Sequence, residues 1–77
     1  MPRFHFDLRE DGVVLRDEEG EELVDDRAAE RQAIETASAL ARDSFPSRAA
    51  DQVLVEVRRE CSEPIITVVV ALKVNRV

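Results

Sequence analysis

The sequence has few of the residues that usually reinforce a small domain. Its 77 residues include a single cysteine, Cys61, and a single histidine, His5. A lone cysteine excludes an intrachain disulfide and is typical of a reducing compartment. One cysteine and one histidine also cannot supply the four ligands of a structural zinc site. A chain this short forms a small core, so association with another subunit is the remaining source of added stability.

Long hydrophobic segments are lacking as well. The longest apolar run, residues 68–72, is far too short to cross a bilayer. The first residues alternate apolar and polar side chains, which a signal peptide does not do. We therefore expect one cytoplasmic domain over residues 1–77 that is not bound to a membrane.

The charge is negative and concentrated in one segment. The net charge is −6, yet residues 10–26 contain nine acidic residues against Arg16, which gives −8 for that segment alone. Binding to nucleic acid normally requires a basic face, and anionic lipid also attracts basic segments. The acidic segment therefore argues against both partners, and a basic protein is the more suitable candidate.

Two hairpins and one helix are predicted from the pattern. Phe4, Phe6 and Leu8 alternate with polar residues as in a half-buried strand. The turn at residues 10–12 contains Asp-Gly, a strong hairpin signal, and residues 13–15 form the returning strand. Residues 17–24 are expected to be a solvated loop whose last two residues, Leu23 and Val24, turn inward.

A single amphipathic helix follows, over residues 26–44. Asp25 is placed as its N-cap, and Val24 is expected to pack on Ala29 as a hydrophobic staple. The buried face is mostly alanine, which allows close approach to a sheet. The segment 45–47 ends the helix because proline excludes helical geometry from the residue before it, and Phe45 is expected to fold back onto the core.

Residues 53–58 and 65–74 are the last two predicted strands. The last is apolar on both faces, a pattern typical of a central strand covered on both sides. The fold class is therefore α+β: strand-strand-helix-strand-strand, with a four-stranded antiparallel sheet and the helix on one face. One helix covers only one face, so the other face requires a partner. The interface is predicted from the apolar residues of that second face: Val14, Leu54, Ile65, Thr67, Val69 and Ala71.

Two short motifs resemble a known family. The chain opens Met1-Pro2-Arg3-Phe4 with Phe6, and its loop 17–23 has the pattern Asp-Glu-x-Gly-x-Glu-Leu. These motifs are similar to a family of short bacterial domains of unknown function that continue with an alanine-rich helix and a closing strand pair. The segment 60–64 departs from the Asp-Gly turn that such proteins often have. The resemblance implies the fold and implies no activity or cofactor.

Catalytic and metal-binding chemistry finds little support in the sequence. His5 lies on the face opposite Phe4 and is expected to be a surface or interface residue, because no nucleophile accompanies it. Glutamates near Cys61 disfavour the reactive thiolate. The acidic loop lacks the spacing of a calcium-binding EF-hand, and no histidine lies near a serine in sequence to activate it. Gly12 and Gly20 are isolated, so they form no phosphate-binding loop.

The sequence thus favours a non-enzymatic, self-associating interaction module with no cofactor and no assigned catalytic or metal-binding residue. Two alternatives remain open. The first is a metal-binding domain or small enzyme that uses the acidic loop. The second is an antitoxin-like regulator, which depends only on the size and the hairpin-helix layout of the chain.

Overall fold

A computed structural model describes residues 1–60 and 62–77, which fold as a sheet with one helix on one face. The described elements, in chain order, are β1 (Arg3–Glu10), β2 (Val13–Leu15), β3 (Glu21–Glu22), α1 (Asp26–Ser44), β4 (Gln52–Arg59) and β5 (Pro64–Ala71). The α+β class predicted from the sequence is confirmed. The sheet has five antiparallel strands because the acidic segment contributes the short β3, which the sequence pattern did not reveal.

The strands are arranged in the order β2-β1-β4-β5, and β3 pairs with β1 on the same side as β2. Glu10 pairs with Val13 across the predicted two-residue turn. Asp11 and Gly12 both have positive φ there, 51° and 82°, as the tight turns of twisted hairpins require. At the other end of β1, Arg3 pairs with Glu22.

The core lies between the helix and the centre of the sheet. β1 and β4 pair along their length, with Phe6 opposite Val57, and β4 pairs with β5, with Val55 opposite Val68. Phe4 is fully buried. The other buried apolar residues of this cluster come from one stripe of the helix and one face of β4: Ala29, Ala33, Ala37, Ala41, Val53, Val55 and Val57. The alanine stripe allows the helix to lie close to the valines, as the sequence predicted.

The helix begins and ends where the sequence predicts. The Asp25 carboxylate accepts a hydrogen bond of 2.9 Å from the Ala28 backbone N–H, which confirms the N-cap. Phe45 follows the last helical residue and packs against the core.

The predicted reason for the helix end is wrong, because Phe45 keeps helical φ and ψ, −69° and −42°, and its N–H donates to the Ala41 carbonyl at 2.8 Å. Pro46 has no N–H with which to continue the ladder. The predicted staple is wrong: Val24 is 68% exposed, and Leu23 alone of that pair packs inward.

Two predictions for the last strand are wrong. β5 ends at Ala71 rather than at residue 74, and it is an edge strand rather than a central one. Its two apolar faces have different surroundings, because the helix lies over β4 and β5 on one side and no described element covers β5 on the other. No described helix is long and apolar enough to cross a membrane.

Candidate functional site

The outer face of the sheet, opposite the helix, is divided into a charged half and an apolar half. Side chains alternate along each strand, so residues two apart share a face. One row across this face runs from Val14 through Arg9 and Leu54 to Val69. The next row runs from Asp7 through Glu56 to Thr67. β1 and β4 therefore contribute mainly ionic side chains, and β5 contributes uncharged ones.

A nearly buried ion pair lies in the charged half. The Arg58 Nε donates to Asp7 Oδ2 at 2.8 Å, and the two side chains are 8% and 12% exposed. A second Arg58 nitrogen donates to the Asp17 carbonyl at 2.8 Å, and a third donates to the Glu60 carbonyl. Arg58 thus joins β1, β4 and the acidic loop.

Asp17 fixes the loop against the edge of β1. Its Oδ2 accepts from the Phe6 backbone N–H at 3.0 Å, and its Oδ1 accepts from the backbone N–H groups of Glu19 and Gly20. Its own N–H donates to Asp7 Oδ1 at 2.9 Å. Phe6 lies between the part of β1 that pairs with β3 and the part that pairs with β2. The Asp17 carboxylate accepts the Phe6 N–H that no strand on that side accepts. The interpretation of this segment as a solvated loop is therefore wrong at Asp17.

The environments of the two aspartates lower their pKa values. Burial acts to raise the pKa of the Asp7 carboxyl, but hydrogen bonds from Arg58 and from the Asp17 backbone, with the charge of Arg58, hold it below its ordinary value. Burial likewise acts to raise the pKa of Asp17, and the hydrogen bonds from three backbone N–H groups outweigh it. Both carboxyls are stabilised in the ionised form.

His5 lies beneath this loop. It is on the outer face, as predicted, but it is only 7% exposed, so the expectation of a surface residue is wrong. Its Nδ1 donates to the Asp17 carbonyl at 3.0 Å, since a carbonyl oxygen can only accept. The alternation along β1 correctly predicted that His5 lies on the outer face of the sheet. It could not show that the acidic loop covers His5 there.

Gly20 permits this close packing. Its φ of +75° lies in the left-handed region, and a Cβ at this position would lie 2.9 Å from both His5 Cε1 and the Phe4 carbonyl oxygen. The two glycines thus differ, because a Cβ at Gly12 would meet nothing within 4 Å. The Gly in the loop motif is therefore required by backbone conformation and by space.

The second candidate site is the free edge of β5. The Leu72 N–H donates to the Asp51 carbonyl at 2.8 Å, which makes these residues a hydrogen-bonded pair of the β4–β5 ladder. Hydrogen-bonded and non-hydrogen-bonded pairs alternate in antiparallel strands. The main-chain groups of residues 66, 68 and 70 are thus directed at β4. Those of Thr67, Val69 and Ala71 are directed at the free edge. The alternation does not extend to Ile65, because Arg58 pairs with Pro64 and Val57 with Ile66, which leaves Ile65 as an extra residue in β5.

Five of the six predicted interface residues lie on the outer face, and Ile65 lies at an irregularity of the β4–β5 ladder; the six do not form one continuous surface. Ile65, Val69 and Val14 are 45%, 51% and 51% exposed. Thr67 and Ala71 are exposed, and Leu54 is half-buried beside Val69. Val14 is separated from Leu54 by Arg9. The apolar part is therefore centred on β5.

A second apolar region appears on the helix side, and the sequence did not indicate it. Val13 and Leu15 of β2 are 69% and 65% exposed, because the helix lies over β4 and β5 and leaves β2 uncovered. They line a cleft with Leu8 and Leu40. The sequence pattern could not show how far the helix extends across the sheet.

The other chemistry-bearing residues are dispersed. Within residues 1–60 and 62–77, no group of three or more histidine, cysteine, aspartate or glutamate side chains is arranged to hold a metal ion. Ser44 donates to Glu10 at 2.7 Å, Ser47 interacts with the end of the helix, and Ser62 accepts from the Arg59 N–H in the β4–β5 turn. Ser38 is exposed on the helix. Cys61 lies outside the described residues.

Comparison with known proteins gives a family and no activity. No curated protein and no solved structure matches the chain significantly. Residues 3–71 match the model of a family described as a domain of unknown function, DUF6894. The match starts after the first two residues of the Met-Pro-Arg motif, so it supports a short domain of unknown function rather than that opening motif. Because the match covers most of the sequence, the chain belongs to the DUF6894 family.

Proposed function

We propose that this protein is a non-enzymatic cytoplasmic interaction module that self-associates through the β5 side of its sheet. The observation that carries the proposal is the character of β5, which has eight residues, no charged side chain and a free edge. Unpaired edges of this length and composition are templates for pairing and are usually protected by charge or by a covering segment.

The exposed side chains of β5 support the same proposal. Ile65 and Val69 are each about half exposed, and Leu54 lies beside Val69 on β4. Clustered exposed aliphatic groups usually mark a contact surface. A small domain also gains most from a partner when no disulfide crosslinks it. The interface proposed here is centred on Leu54, Ile65, Thr67, Val69 and Ala71, with Val14 at its margin.

The buried polar cluster supports a structural role rather than a catalytic one. Asp7, Asp17 and Arg58 hydrogen-bond to one another or to the backbone, and His5 is engaged with the Asp17 carbonyl. No buried side-chain nitrogen or oxygen in the described part of the chain lacks a partner. Polar side chains whose hydrogen bonds are all made within the protein stabilise the loop and leave no group directed at a substrate.

A basic protein partner would contact the opposite edge. Glu18, Glu19, Glu21 and Glu22 are all exposed there. Their charge is suited to steering a basic surface, and the steering weakens with added salt. This surface is independent of β5, so the module has room for a second partner while self-associated.

Sedimentation velocity over a range of protein concentrations tests self-association. We expect the unmodified chain to form a dimer or a larger symmetric oligomer, and Val69→Lys to be monomeric. The matched control is Val13→Lys, which makes the same change at an exposed valine on the other edge and should leave the oligomer intact. If the unmodified chain is monomeric at high concentration, or if Val13→Lys dissociates the oligomer as Val69→Lys does, the proposal is wrong.

A further inference from the structure

We infer that the helix side of the sheet binds an amphipathic helix of a basic partner protein, which lies beside α1 over β1 and β2. The site is the cleft lined by Leu8, Val13, Leu15 and Leu40, called the β2 cleft below. The partner is the basic protein of the proposed interaction module, so the inference rests on that function and adds the site and the form of the contact. Self-association through β5 leaves this part of the sheet open.

The helix side of the sheet has room for two helices and is covered by one. α1 lies over β4 and β5, and β1 and β2 form the other half of the strand order. The centres of these two strand pairs are two strand spacings apart, or about 9–10 Å. Helices pack side by side at about 8–10 Å. A second helix over β1 and β2 would therefore contact both the sheet and α1.

The uncovered half of the sheet is apolar where the second helix would lie. Val13 and Leu15 are 69% and 65% exposed, and Leu8 and Leu40 are partly buried beside them. A neighbouring depression shares Leu8 and Leu15 with the β2 cleft and continues it along β1 to Phe6. Aliphatic groups that are exposed together usually mark a contact surface. The apolar surface is thus elongated along β1, as an elongated partner requires.

The main chain of β2 favours a docked helix over an added strand. The two-residue turn makes Glu10 and Val13 a hydrogen-bonded pair, and such pairs alternate along antiparallel strands. The main-chain groups of Val13 and Leu15 are therefore directed at β1, and within β2 only those of Val14 are directed at the free side. A strand added there would gain the hydrogen bonds of one residue. A helix satisfies its own main chain and is recognised by its side chains.

The charged groups around the β2 cleft select a basic partner. Glu10 and Asp11 line the cleft on the sheet side. Glu35 and Asp43 line the adjoining surface of α1, which shares Leu40 with the cleft. In the described part of the chain, no basic residue lines either surface. The complementary helix therefore has an apolar stripe flanked by lysine or arginine, and an anionic lipid or nucleic acid would be repelled.

Binding of synthetic peptides tests the form and the charge of the partner. The probe is a fluorescently labelled peptide of about 18 residues made of leucine and lysine, with the leucines on one face of a helix. One control peptide has the same composition with leucine at alternate positions, as in a strand, and another has glutamate in place of lysine. Anisotropy is measured at about 0.15 M salt, which screens nonspecific attraction. We expect the helical basic peptide to bind about tenfold more tightly than either control.

A substitution in the β2 cleft tests the site. Val13→Ser removes an aliphatic side chain that the docked helix would bury, so we expect binding of the helical basic peptide to weaken about five- to tenfold. The matched control is Val24→Ser, because Val24 is 68% exposed and lies outside the cleft. Thermal melts should show that both variants remain folded, since both side chains are exposed.

A charge reversal tests the electrostatic selection. Asp43→Lys should weaken binding of the lysine peptide several-fold and strengthen binding of the glutamate peptide. Its control is Glu30→Lys, at an exposed position of α1 that lines neither surface, which should change both affinities less.

The outcomes separate this inference from the proposed self-association. No binding of the helical basic peptide, binding of the alternating peptide at least as tightly, or equal affinities of Val13→Ser and Val24→Ser overturns the helix site and leaves self-association standing. An unchanged peptide affinity in Asp43→Lys overturns the charge selection. Val69→Lys should lose the oligomer and keep the peptide, and Val13→Ser should do the reverse. A monomeric chain that binds the peptide through the β2 cleft overturns self-association alone.

Discussion

The two edges of the sheet are constructed in opposite ways. The first edge consists of β2 and β3, with three and two residues, separated by an acidic loop in which Asp17 hydrogen-bonds to the Phe6 N–H. The second is β5, with eight residues and no charge. Short strands, charges and covering loops are the usual means of preventing edge-to-edge association. The first edge has all three. β5 has none of these three over residues 66–71, and its only interruptions are Pro64 and the register shift beside it.

The negative charge of the protein is distributed in the same unequal way between the two edges. The acidic residues of the segment 17–22 lie at the first edge, called the protected edge below, while β5 contributes only uncharged side chains to the outer face. In the proposed self-association, charge at one edge and its absence at the other would direct contact to a single side of the sheet, which favours a closed pair over an open chain of subunits.

The largest effect is expected from removing the arginine that anchors the loop. Arg58→Met removes the cation from the nearly buried Asp7 carboxylate, which keeps only its hydrogen bond from the Asp17 N–H, and should lower the free energy of unfolding by about 3–5 kcal/mol. The control is Arg9→Met, because Arg9 pairs with Glu56 at 3.3 Å while about half exposed, and such pairs contribute about 0–1 kcal/mol. Urea melts measure both. Equal losses would show that the Arg58–Asp7 pair does not anchor the loop.

Gly20→Ala should have the next largest effect. The left-handed φ costs a residue with a Cβ about 1–2 kcal/mol, and the contact with the Phe4 carbonyl and His5 adds about 1–3 kcal/mol of overpacking.

Gly12→Ala is the matched control for this change. Gly12→Ala introduces only the conformational cost of a Cβ at positive φ, because no atom lies within 4 Å of the added Cβ. The two variants are compared by thermal or urea unfolding. If they lose the same stability, the loop does not pack on the sheet as closely as described.

The low pKa values of Asp7 and Asp17 predict sensitivity to acid. A carboxyl whose folded pKa lies below its unfolded value contributes stability that is complete above the unfolded value, about pH 4, and is lost as pH falls through the folded value. Asp17→Asn should therefore reduce stability at neutral pH and flatten its decline in acid. Melts from pH 7 to pH 2 measure this, with Glu18→Gln, at an exposed position, as the control. An unchanged acid branch in Asp17→Asn would contradict the prediction.

Local patterns in the sequence were sufficient for most of the fold. The alternation around Phe4, the Asp11-Gly12 turn and the Asp25 cap each depend on neighbouring residues, and the structure has all three. The helix limits were also predicted, since Asp25 caps one end and Pro46 follows the other. Hydrogen bonds between neighbouring residues, and the missing N–H of Pro46, determine these features, so a short segment of sequence is enough to predict each of them.

Most of the errors concern contacts between distant segments; the Val24 staple is a local exception. Burial of His5 depends on a loop twelve residues away, and the pairing of Asp7 with Arg58 spans most of the chain. The apolar pattern of β5 was interpreted as that of a central strand because periodicity reports hydrophobicity and not strand order. The same pattern fits a strand that a partner covers, which is the basis of the proposed self-association.

The smallest effect is expected for Glu19→Ala, although Glu19 lies in the middle of the loop. Its contacts are made by the backbone: its N–H donates to Asp17 Oδ1, and its carbonyl accepts from Arg3 at 2.9 Å. Truncating an exposed side chain preserves both hydrogen bonds and removes one of several like charges. The change in unfolding free energy should therefore stay within about 0.5 kcal/mol. A loss comparable to that of Gly20→Ala, measured in the same urea melts, would mean that the Glu19 carboxylate itself holds the protected edge together or binds a ligand there.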